Sequence, residues 1–370
     1  MPTLQLPLSP MHPYPPPSSL RYGEDMLKKL INMFMILALA VVVTPTPAAA
    51  SSTWPSHKPG WCLDFNLKVA PSPTEARDWK VAAVYCQPWR WDHGKRAVDV
   101  LTHGATYTHT YWDWAGPQDG YSYVDRALAD GRATLAYDRI GNGDSTRPLS
   151  SEITMASDAY VLHQLVGLLR LFGFRSINSI SHSYGSGVAL QEAATYDDVS
   201  SVVVSGYLHR PSNPAVTAGN YPANQDPKFA GQGLDDRWFT SRPGVRGTSF
   251  HSPTSDPDLV AYDEEQKDLV SLTGLLDFLF ARGIPAGDNV SNLVTVPVLV
   301  LQGEQDAIFC YQPDVFNCSD RVTVHNNEAP FYQASSKFTV FTVPESGHDL
   351  TLHPSASESY QAIDWFVSRT

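Results

Sequence analysis

The sequence predicts an α/β protein with a doubly wound, mostly parallel eight-stranded sheet and an inserted cap. Eight short runs, many of them continuously apolar, have the composition of strands buried on both faces of a parallel sheet. These runs are DFNLKVA, VAAVYCQPW, AVDVLTHG, ATLAYDRIG, SINSIS, SVVVSG, VPVLVLQG and FTVFTVPESG. Helical patterns such as YSYVDRALADG and ASDAYVLHQLVGLLRLFG lie between them, and the second ends at Gly173. Alternating strands and helices of this kind indicate a doubly wound sheet.

One long segment interrupts this alternation and defines the predicted domain organisation. From about residue 207 to residue 292 the chain is first rich in Pro, Gly, Asn and Asp and then helical, in DEEQKDLVSLTGLLDFLFARG. We interpret residues 207–292 as a cap or lid inserted into a core. The two parts of that core are then residues 51–206 and 293–370. Residues 1–50 are predicted to be a proline-rich leader and a signal peptide.

The signal peptide is predicted near residues 26–50. Lys28 and Lys29 precede an apolar run from residue 33 to 43, and small residues follow at 48–50. This is the three-part arrangement of a secretory signal, and it predicts a secreted, extracellular protein. A membrane anchor is the alternative, but the apolar run is shorter than the roughly 20 residues that span a bilayer, so no stable anchor is expected. The residues before Met26 are unusual for a signal, which leaves Met26 as an alternative start.

Composition and charge exclude some classes of function. The chain has 370 residues, 42% of them hydrophobic, which is sufficient for a large folded core. Its formal charge is −12 and its pI is about 5.4. Nucleic-acid binding would require clustered Lys and Arg, so it is not predicted. A phosphorylated or CoA-linked substrate is not indicated for the same reason. The sequence makes no prediction of oligomeric state.

The cysteines favour the same secreted location. None of the four belongs to a C-x-x-C pair, so we predict no metal site. Four cysteines allow three disulfide pairings, and the pairing that closes the shortest loops is the simplest. The four residues, in that pairing, are Cys62 with Cys86 and Cys310 with Cys318. Two sequons, at Asn289 and Asn317, predict glycosylation if the chain enters the secretory pathway.

Ser183 is the candidate nucleophile. It follows the strand SINSIS and precedes a helical pattern, so it lies at a sharp strand–turn–helix connection. Such a turn requires small neighbours. Here Gly185 is retained, while Ser181 replaces the usual first glycine in the pattern S-H-S-Y-G. A serine-rich turn without catalytic function is the alternative for this motif alone.

Two further residues complete a catalytic triad with Ser183. A serine hydroxyl needs a base to remove its proton, and the base needs an acid to fix its tautomer. In this architecture the order is Ser, then Asp or Glu, then His, each after a strand. Asp306 follows the strand VPVLVLQG, and His348 follows the strand FTVFTVPESG. The carboxyl ends of parallel strands share one edge, so the three side chains are expected to meet.

Other residues compete for these functions. His353 is an alternative base, but it lies in the segment that leads to the last helix. His182 neighbours the nucleophile, and we expect it to pack rather than react. Glu304 and Asp314 are alternative acids, although Glu304 comes early and Asp314 lies inside the Cys310–Cys318 loop.

Acyl transfer also needs N–H donors for the developing oxyanion. The Tyr184 amide, directly after the nucleophile, is the first candidate. The second is the Ala105 amide, in the loop after AVDVLTHG. His103 in that loop is expected to anchor the backbone rather than to react.

The motifs LTHGA, YDRIGNGDSTRP, SHSYGSG, LQGEQD and SGHD together resemble the α/β-hydrolase superfamily, in matching order over residues 60–370. YDRIGNGDS contains a turn similar to the family's D-x-x-G-x-G-x-S. The resemblance implies a fold of about eight strands with a cap and no cofactor. A serine at the nucleophile position disfavours the epoxide-hydrolase and haloalkane-dehalogenase branches, which use aspartate.

Aromatic residues suggest the substrate class. Those predicted to line the site are Tyr107, Trp112 and Trp114, beside the oxyanion loop, and Trp238 in the cap. Aromatic walls suit a small hydrophobic ester or lactone, while ordinary packing between cap and core is the alternative. The predicted function is a secreted serine hydrolase that forms an acyl-enzyme. C–C bond hydrolysis, peptide hydrolysis and acyl transfer remain open, as does a non-catalytic ligand-binding protein.

Overall fold

The computed structural model describes residues 58–92, 96–116, 118–214, 218–310 and 316–370. The leader, the predicted signal peptide and the alternative acid Asp314 lie outside these residues. The strands are β1 Gly60–Val69, β2 Trp79–Pro88, β3 Ala97–Thr102, β4 Ala133–Tyr137, β5 Ser176–His182, β6 Ser201–Ser205, β7 Asn220–Pro222, β8 Trp238–Ser241, β9 Val270–Ser271, β10 Val298–Gly303 and β11 Phe338–Val343. The helices are α1 Tyr123–Ala129, α2 Met155–Leu171, α3 Tyr184–Tyr196, α4 Val245–Ser249, α5 Pro257–Gln266, α6 Leu272–Gly283, α7 Arg321–Glu328 and α8 Ala356–Val367.

Eight strands form the main sheet, in the order β1-β2-β4-β3-β5-β6-β10-β11. β2 pairs antiparallel with both β1 and β4, and every other neighbouring pair is parallel. This confirms the predicted mostly parallel, eight-stranded α/β fold. All eight sequence-predicted strands belong to this sheet.

Burial explains which strands occupy the centre of the sheet. Every residue of β4, β6 and β10 is buried, as expected for the central strands of a mostly parallel sheet. In β1, at one edge, only the end residues Gly60 and Val69 are buried, and the residues between them are half-buried or exposed. The core therefore lies along the parallel strands, whose carboxyl ends carry the candidate residues.

Helices α2 and α3 flank the strand that carries Ser183. Thr154 caps α2 by accepting from the Ser157 N–H, and the Ser157 side chain accepts in return from the Thr154 N–H. Leu162, Leu165 and Leu169 of α2 are buried, and the helix stops before Gly173, whose φ of +87° suits a helix C-terminus. α3 begins directly after Ser183, so the nucleophile candidate occupies its N-cap position.

Between β6 and β10 the chain forms a second, three-stranded sheet in the order β7-β8-β9, together with α4, α5 and α6. No strand of this segment joins the main sheet in the described residues. We keep the interpretation of residues 207–292 as a cap. The region also contains α6, whose side chains reach the pocket described below.

Both predicted disulfides are present in the structure. Cys62 and Cys86 face each other across β1 and β2, with Cα atoms 4.0 Å apart, and Cys310 is bonded to Cys318. The structure does not support the predicted glycosylation at Asn289. This residue is 3% exposed, and its amide nitrogen donates to two carbonyl oxygens of the chain. A glycan has no access to that nitrogen in the folded protein. Asn317, by contrast, is exposed.

Of the described helices, none combines the length and the apolar composition needed to cross a bilayer.

Candidate active site

Ser183 lies at a strained turn between β5 and α3. Its backbone has φ 51° and ψ −117°, a conformation that L-residues rarely adopt. The turn is held by a bond from the Ser183 N–H to the Ser205 carbonyl (2.8 Å). A Cβ atom on Gly185 would lie 2.6 Å from the carbonyl oxygens of Thr102 and His103, so only glycine allows α3 to approach β3 this closely.

Ser181, the departure from the usual motif, fits without distorting this turn. It is completely buried, and its hydroxyl donates to the Val203 carbonyl at 2.6 Å on the neighbouring strand. A buried hydroxyl with a partner carries little penalty, so serine replaces glycine here at low energetic cost.

The three predicted triad residues converge. His348 Nε2 lies 2.9 Å from Ser183 Oγ, and His348 Nδ1 lies 2.9 Å from Asp306 Oδ2. Asp306 follows β10 and His348 follows β11, so both loops leave the same edge of the sheet as the turn after β5. Neither Asp306 nor His348 is more than 2% exposed. This is a continuous path for a proton from the hydroxyl to the imidazole.

Electrostatics favour an ionised Asp306 beside His348. Burial alone raises the pKa of Asp306, but attraction from His348 and hydrogen bonds from His348, Gln302 and the Ile308 N–H outweigh it, and the pKa is lowered. Burial lowers the pKa of His348. The charge and hydrogen bond of Asp306 raise it by more than burial lowers it, so the net shift is upward. The pair therefore stabilises the imidazolium that forms when His348 takes a proton.

The candidate oxyanion donors lie beside Ser183. A Cβ on Gly104 would be 3.1 Å from Ser183 Cβ, so the loop that bears the Ala105 N–H packs directly on the nucleophile. The Tyr184 N–H belongs to the first residue of α3, where backbone donors have no partner within the helix. Within the described residues neither the Ala105 nor the Tyr184 N–H donates to a protein acceptor.

Arg139, which the sequence analysis did not single out as functional, holds this loop. Its guanidinium donates to the His103 and Gly104 carbonyls at 3.2 Å each and pairs with Asp158 at 3.0 Å. Its Cζ also lies 4.3 Å from the centre of the Tyr184 ring. Arg139 thus fixes the His103 and Gly104 carbonyls of the loop that carries Ala105. Its position in YDRIG was the only signal in the sequence.

His103 anchors the same loop, as expected. Its Nε2 accepts from the Arg139 N–H at 3.0 Å, and its Nδ1 lies 2.9 Å from the Gly104 carbonyl. Burial, followed by the charge of Arg139, holds its pKa well below the ordinary value, so it stays neutral.

The rival bases are occupied elsewhere. His353 accepts from the Ser252 and Gly347 N–H groups, and its other nitrogen bonds to the Asp349 carbonyl at 2.7 Å. His182 stacks on Tyr111, with ring centres 4.4 Å apart. Burial lowers the pKa of each histidine to about 4. Both are structural.

A buried network joins the core to the segment interpreted as the cap. The Tyr107 hydroxyl hydrogen-bonds to Asp349 and lies 3.2 Å from Asp263. Asp263 also accepts two bonds of 2.9 Å from Arg246 and one of 2.9 Å from His251. Apart from the position of Asp349 directly after His348, no sequence pattern indicates this network. Because all five side chains are buried, the network fixes the segment on the site.

Among the residues that the structure describes, two groups of side chains have the types and spacing that bind metal ions. In one, His251, Asp263 and Asp349 are already compensated by Arg246 and Tyr107. In the other, His163, Glu192 and Asp198 lie on and after α2 and α3. Burial, followed by the neighbouring Asp198, raises the pKa of Glu192 to about 10, which favours its protonated form. Neither group includes Ser183.

A small, mainly apolar pocket opens beside Ser183. Its free volume is about 70 Å³, well below the roughly 300–1,000 Å³ of typical ligand sites, so it accommodates a short group. The lining residues comprise Ala105, Thr106, Tyr107, His182, Ser183, Ser212, Asn220, Phe250, Val270, Leu275, Phe278, Leu279, Arg282, Ile308, Phe309 and His348. Tyr107 is therefore placed at the site, as predicted from its position in the oxyanion loop.

Three of the predicted aromatic lining residues are placed elsewhere, which corrects the prediction. Trp112 packs edge-on against Tyr123, and Trp114 packs edge-on against Tyr262. Trp238 packs on Gly141, where a Cβ would meet its ring at 2.2 Å. All three tryptophans are buried and fill spaces between elements. The prediction from the sequence did not include the residues that form the apolar lining, which come mostly from α6 and the segment after β10.

The comparisons with known proteins agree with this geometry. The model of the alpha/beta hydrolase family matches residues 100–357. A proline iminopeptidase from Clostridium botulinum is 28% identical over 118 residues, and the match spans 31% of this chain and 36% of that protein, about a third of its length.

Solved structures share the fold at low identity. A thermophilic esterase from Thermogutta terrifontis aligns over 83% of this chain and 98% of its own, with a TM-score of 0.55 and 16% identity. A soluble variant of monoglyceride lipase from Saccharomyces cerevisiae aligns over 88% and 99%, with a TM-score of 0.54 and 17% identity. The family model covers more than half of the sequence. The chain belongs to the alpha/beta hydrolase family.

Proposed function

We propose that this protein is a serine hydrolase that cleaves a hydrophobic carboxylic ester or lactone through an acyl-enzyme. The observation that carries the proposal is the pair of 2.9 Å contacts that link Ser183, His348 and Asp306. The esterases and lipases among the structural neighbours support ester hydrolysis as the reaction class.

In the first half of the reaction, Ser183 Oγ attacks the carbonyl carbon while its proton passes to His348 Nε2. The carbonyl π electrons move to oxygen, and the Ala105 and Tyr184 N–H groups stabilise the resulting anion. When the tetrahedral intermediate collapses, the bond to the leaving alkoxide breaks, and His348 returns the proton to it. For a lactone the alcohol remains attached to the acyl group.

Water completes the second half. His348, neutral again, takes a proton from water as the water oxygen attacks the acyl carbon. The acid product leaves when the bond to Ser183 Oγ breaks and the serine regains its proton. Asp306 orients His348 and stays ionised throughout, in line with its lowered pKa.

A peptidase is the second candidate, because the proline iminopeptidase match covers part of the chain. An enzyme that removes an N-terminal residue must bind a cationic amine. The described residues that line the pocket include Arg282 and no Asp or Glu. Such a lining repels a free amine, so an ester or lactone is the better fit.

Export is part of the proposal. The segment near residues 26–50 has the layout of a secretory signal, and two disulfides are compatible with an oxidising compartment. Expression of the full chain with N-terminal sequencing of the mature product tests this directly. Cleavage near Ala50 is expected, and an intact intracellular chain contradicts it.

A panel of p-nitrophenyl esters and aryl lactones tests the reaction. We expect hydrolysis by the native chain and background rates for Ser183→Ala. Ser151→Ala, which removes the hydroxyl of an exposed serine, is the matched control and should keep full activity. Equal hydrolysis by the native protein and Ser183→Ala would refute the mechanism.

A further inference from the structure

One buried arginine differs from the others in what it contacts. The buried arginines of the described residues are Arg132, Arg139, Arg246 and Arg282. The first three pair with carboxylates, Arg132 with Asp99 at 2.9 Å, Arg139 with Asp158 at 3.0 Å and Arg246 with Asp263 at 2.9 Å. Arg282 has no carboxylate within 4.0 Å among the described residues.

The contacts that Arg282 does make are weak. Its two terminal nitrogens donate to the Arg210 carbonyl and the Ser212 hydroxyl at 3.3 Å each, at the long end of hydrogen-bond distances. Its Nε donates to nothing within the described residues. The guanidinium otherwise contacts the rings of Phe278 and Phe309, with Cζ 4.7 and 5.1 Å from their centres.

A buried guanidinium charge without a carboxylate partner is energetically unfavourable. Arg282 is 4% exposed, and burial lowers its pKa despite the more distant charges of Asp306 and Glu328. Those two acids are engaged with His348 and His209. A buried ion without an ionic partner is strongly destabilising, and an anionic ligand would offset that effect.

Arg282 belongs to the same pocket as Ser183. Both residues line it, and the Phe309 ring lies 5.1 Å from the Arg282 guanidinium and 6.1 Å from the His348 ring. Phe309 therefore neighbours both the guanidinium and the imidazole. The apolar lining of the pocket comes mostly from α6 and the segment after β10.

We propose that Arg282 is a specificity-determining residue that binds a carboxylate on the substrate, so that the preferred substrate is an ester or lactone with a second, anionic carboxylate on a short chain. The proposal rests on the proposed function, since Ser183 would cleave the bond. Guanidinium and carboxylate match in charge and in planar, two-pronged geometry, and the buried Nε has no acceptor among the described residues. The free volume of about 70 Å³ favours a short linker.

The test compares esters that differ only in charge. The mono-p-nitrophenyl esters of succinate, glutarate and adipate carry a free carboxylate, and their methyl esters at that carboxylate are the neutral counterparts. Rates are corrected with Ser183→Ala, because aryl monoesters of this kind also hydrolyse spontaneously. We expect the native kcat/KM to favour the best anionic ester by about 10- to 100-fold, the factor for a charge-assisted hydrogen bond.

The ratio of anionic to neutral kcat/KM is the readout in each variant. Arg282→Met should lower it to about one or below, and Arg282→Lys should keep part of it. Arg237→Met, which removes an exposed arginine of the same segment, should leave the ratio unchanged. A native ratio near one at every chain length, or the native ratio in Arg282→Met, overturns the proposal.

A binding measurement separates this proposal from the proposed function. Glutarate dianion is titrated into Ser183→Ala and into Ser183→Ala/Arg282→Met by calorimetry. Binding by the first and at least tenfold weaker binding by the second support the carboxylate site even if no ester is cleaved. Equal or absent binding overturns it. If neutral esters are cleaved in a Ser183-dependent manner without a carboxylate preference, only the Arg282 proposal fails.

Discussion

Replacement of Asp306 by Asn is a demanding test of the triad, because the structure dictates how the amide would sit. Asp306 Oδ1 accepts from the Ile308 and Phe309 N–H groups at 2.7 and 3.3 Å. Those backbone donors cannot rotate, so the Asn carbonyl oxygen must occupy the Oδ1 position. The Asn NH₂ group then replaces Oδ2 and faces His348 Nδ1, which lies 2.9 Å from Oδ2 in the native chain.

His348 Nδ1 must then accept a hydrogen bond from this NH₂ group. The imidazole proton is therefore on Nε2, opposite Ser183 Oγ. That tautomer cannot take the serine proton. We therefore expect kcat to fall by about 10⁴, the loss known for a triad with the wrong tautomer, or about 5 kcal/mol in the activation free energy. Asn keeps the shape of Asp306 but loses the 2.7 Å bond that Gln302 Nε2 donates to Oδ2 and the charge beside His348, so the thermal midpoint should fall while the protein still folds.

The assay is the stopped-flow or steady-state kcat for a p-nitrophenyl ester, with circular dichroism to verify folding. Glu304→Gln is the matched control, since Glu304 is the rival acid and has no contact with His348 among the described residues; its kcat should be that of the native chain. A folded Asp306→Asn protein with kcat within about tenfold of native would refute the reasoning.

Two other predictions concern pH and packing. Burial lowers the pKa of His348 but Asp306 raises it more, so the net pKa lies above its ordinary value and activity should be lost as pH falls through that raised value; a pH–rate profile that is flat between about pH 5 and 8 contradicts this. Gly185→Ala places a Cβ 2.6 Å from two carbonyl oxygens and should destabilise the fold by about 1–3 kcal/mol, whereas Gly167→Ala, in an open position of α2, should stabilise it by about 0.5–1 kcal/mol. Urea unfolding measures both, and a destabilisation by Gly167→Ala that equals that of Gly185→Ala would contradict the packing argument.

The strands and the triad could be predicted because their signals are local. Buried parallel strands are continuous apolar runs, and Ser183, Asp306 and His348 each directly follow one. Parallel strands then bring their ends to one edge without further information. The order of the three residues along the chain then assigned them as nucleophile, acid and base.

Other features depend on which distant segments meet, and a single sequence does not encode that visibly. Trp112 and Trp238 are aromatic residues of the kind that line substrate pockets, but in the structure they fill spaces between helices, strands and loops. Asn289 matches a sequon but is buried by helix α6. Arg282 lies at the end of the apolar helix α6. Only the folded structure shows that it lines the pocket and that it has no carboxylate partner among the described residues.

The central claim is that Ser183 is activated as a nucleophile by His348. Labelling of the folded protein with a fluorophosphonate, followed by peptide mass spectrometry, tests this directly. The account predicts one stoichiometric adduct, on Ser183, and its loss in His348→Ala. An unlabelled Ser183 in folded protein, or equal labelling in His348→Ala, would contradict it.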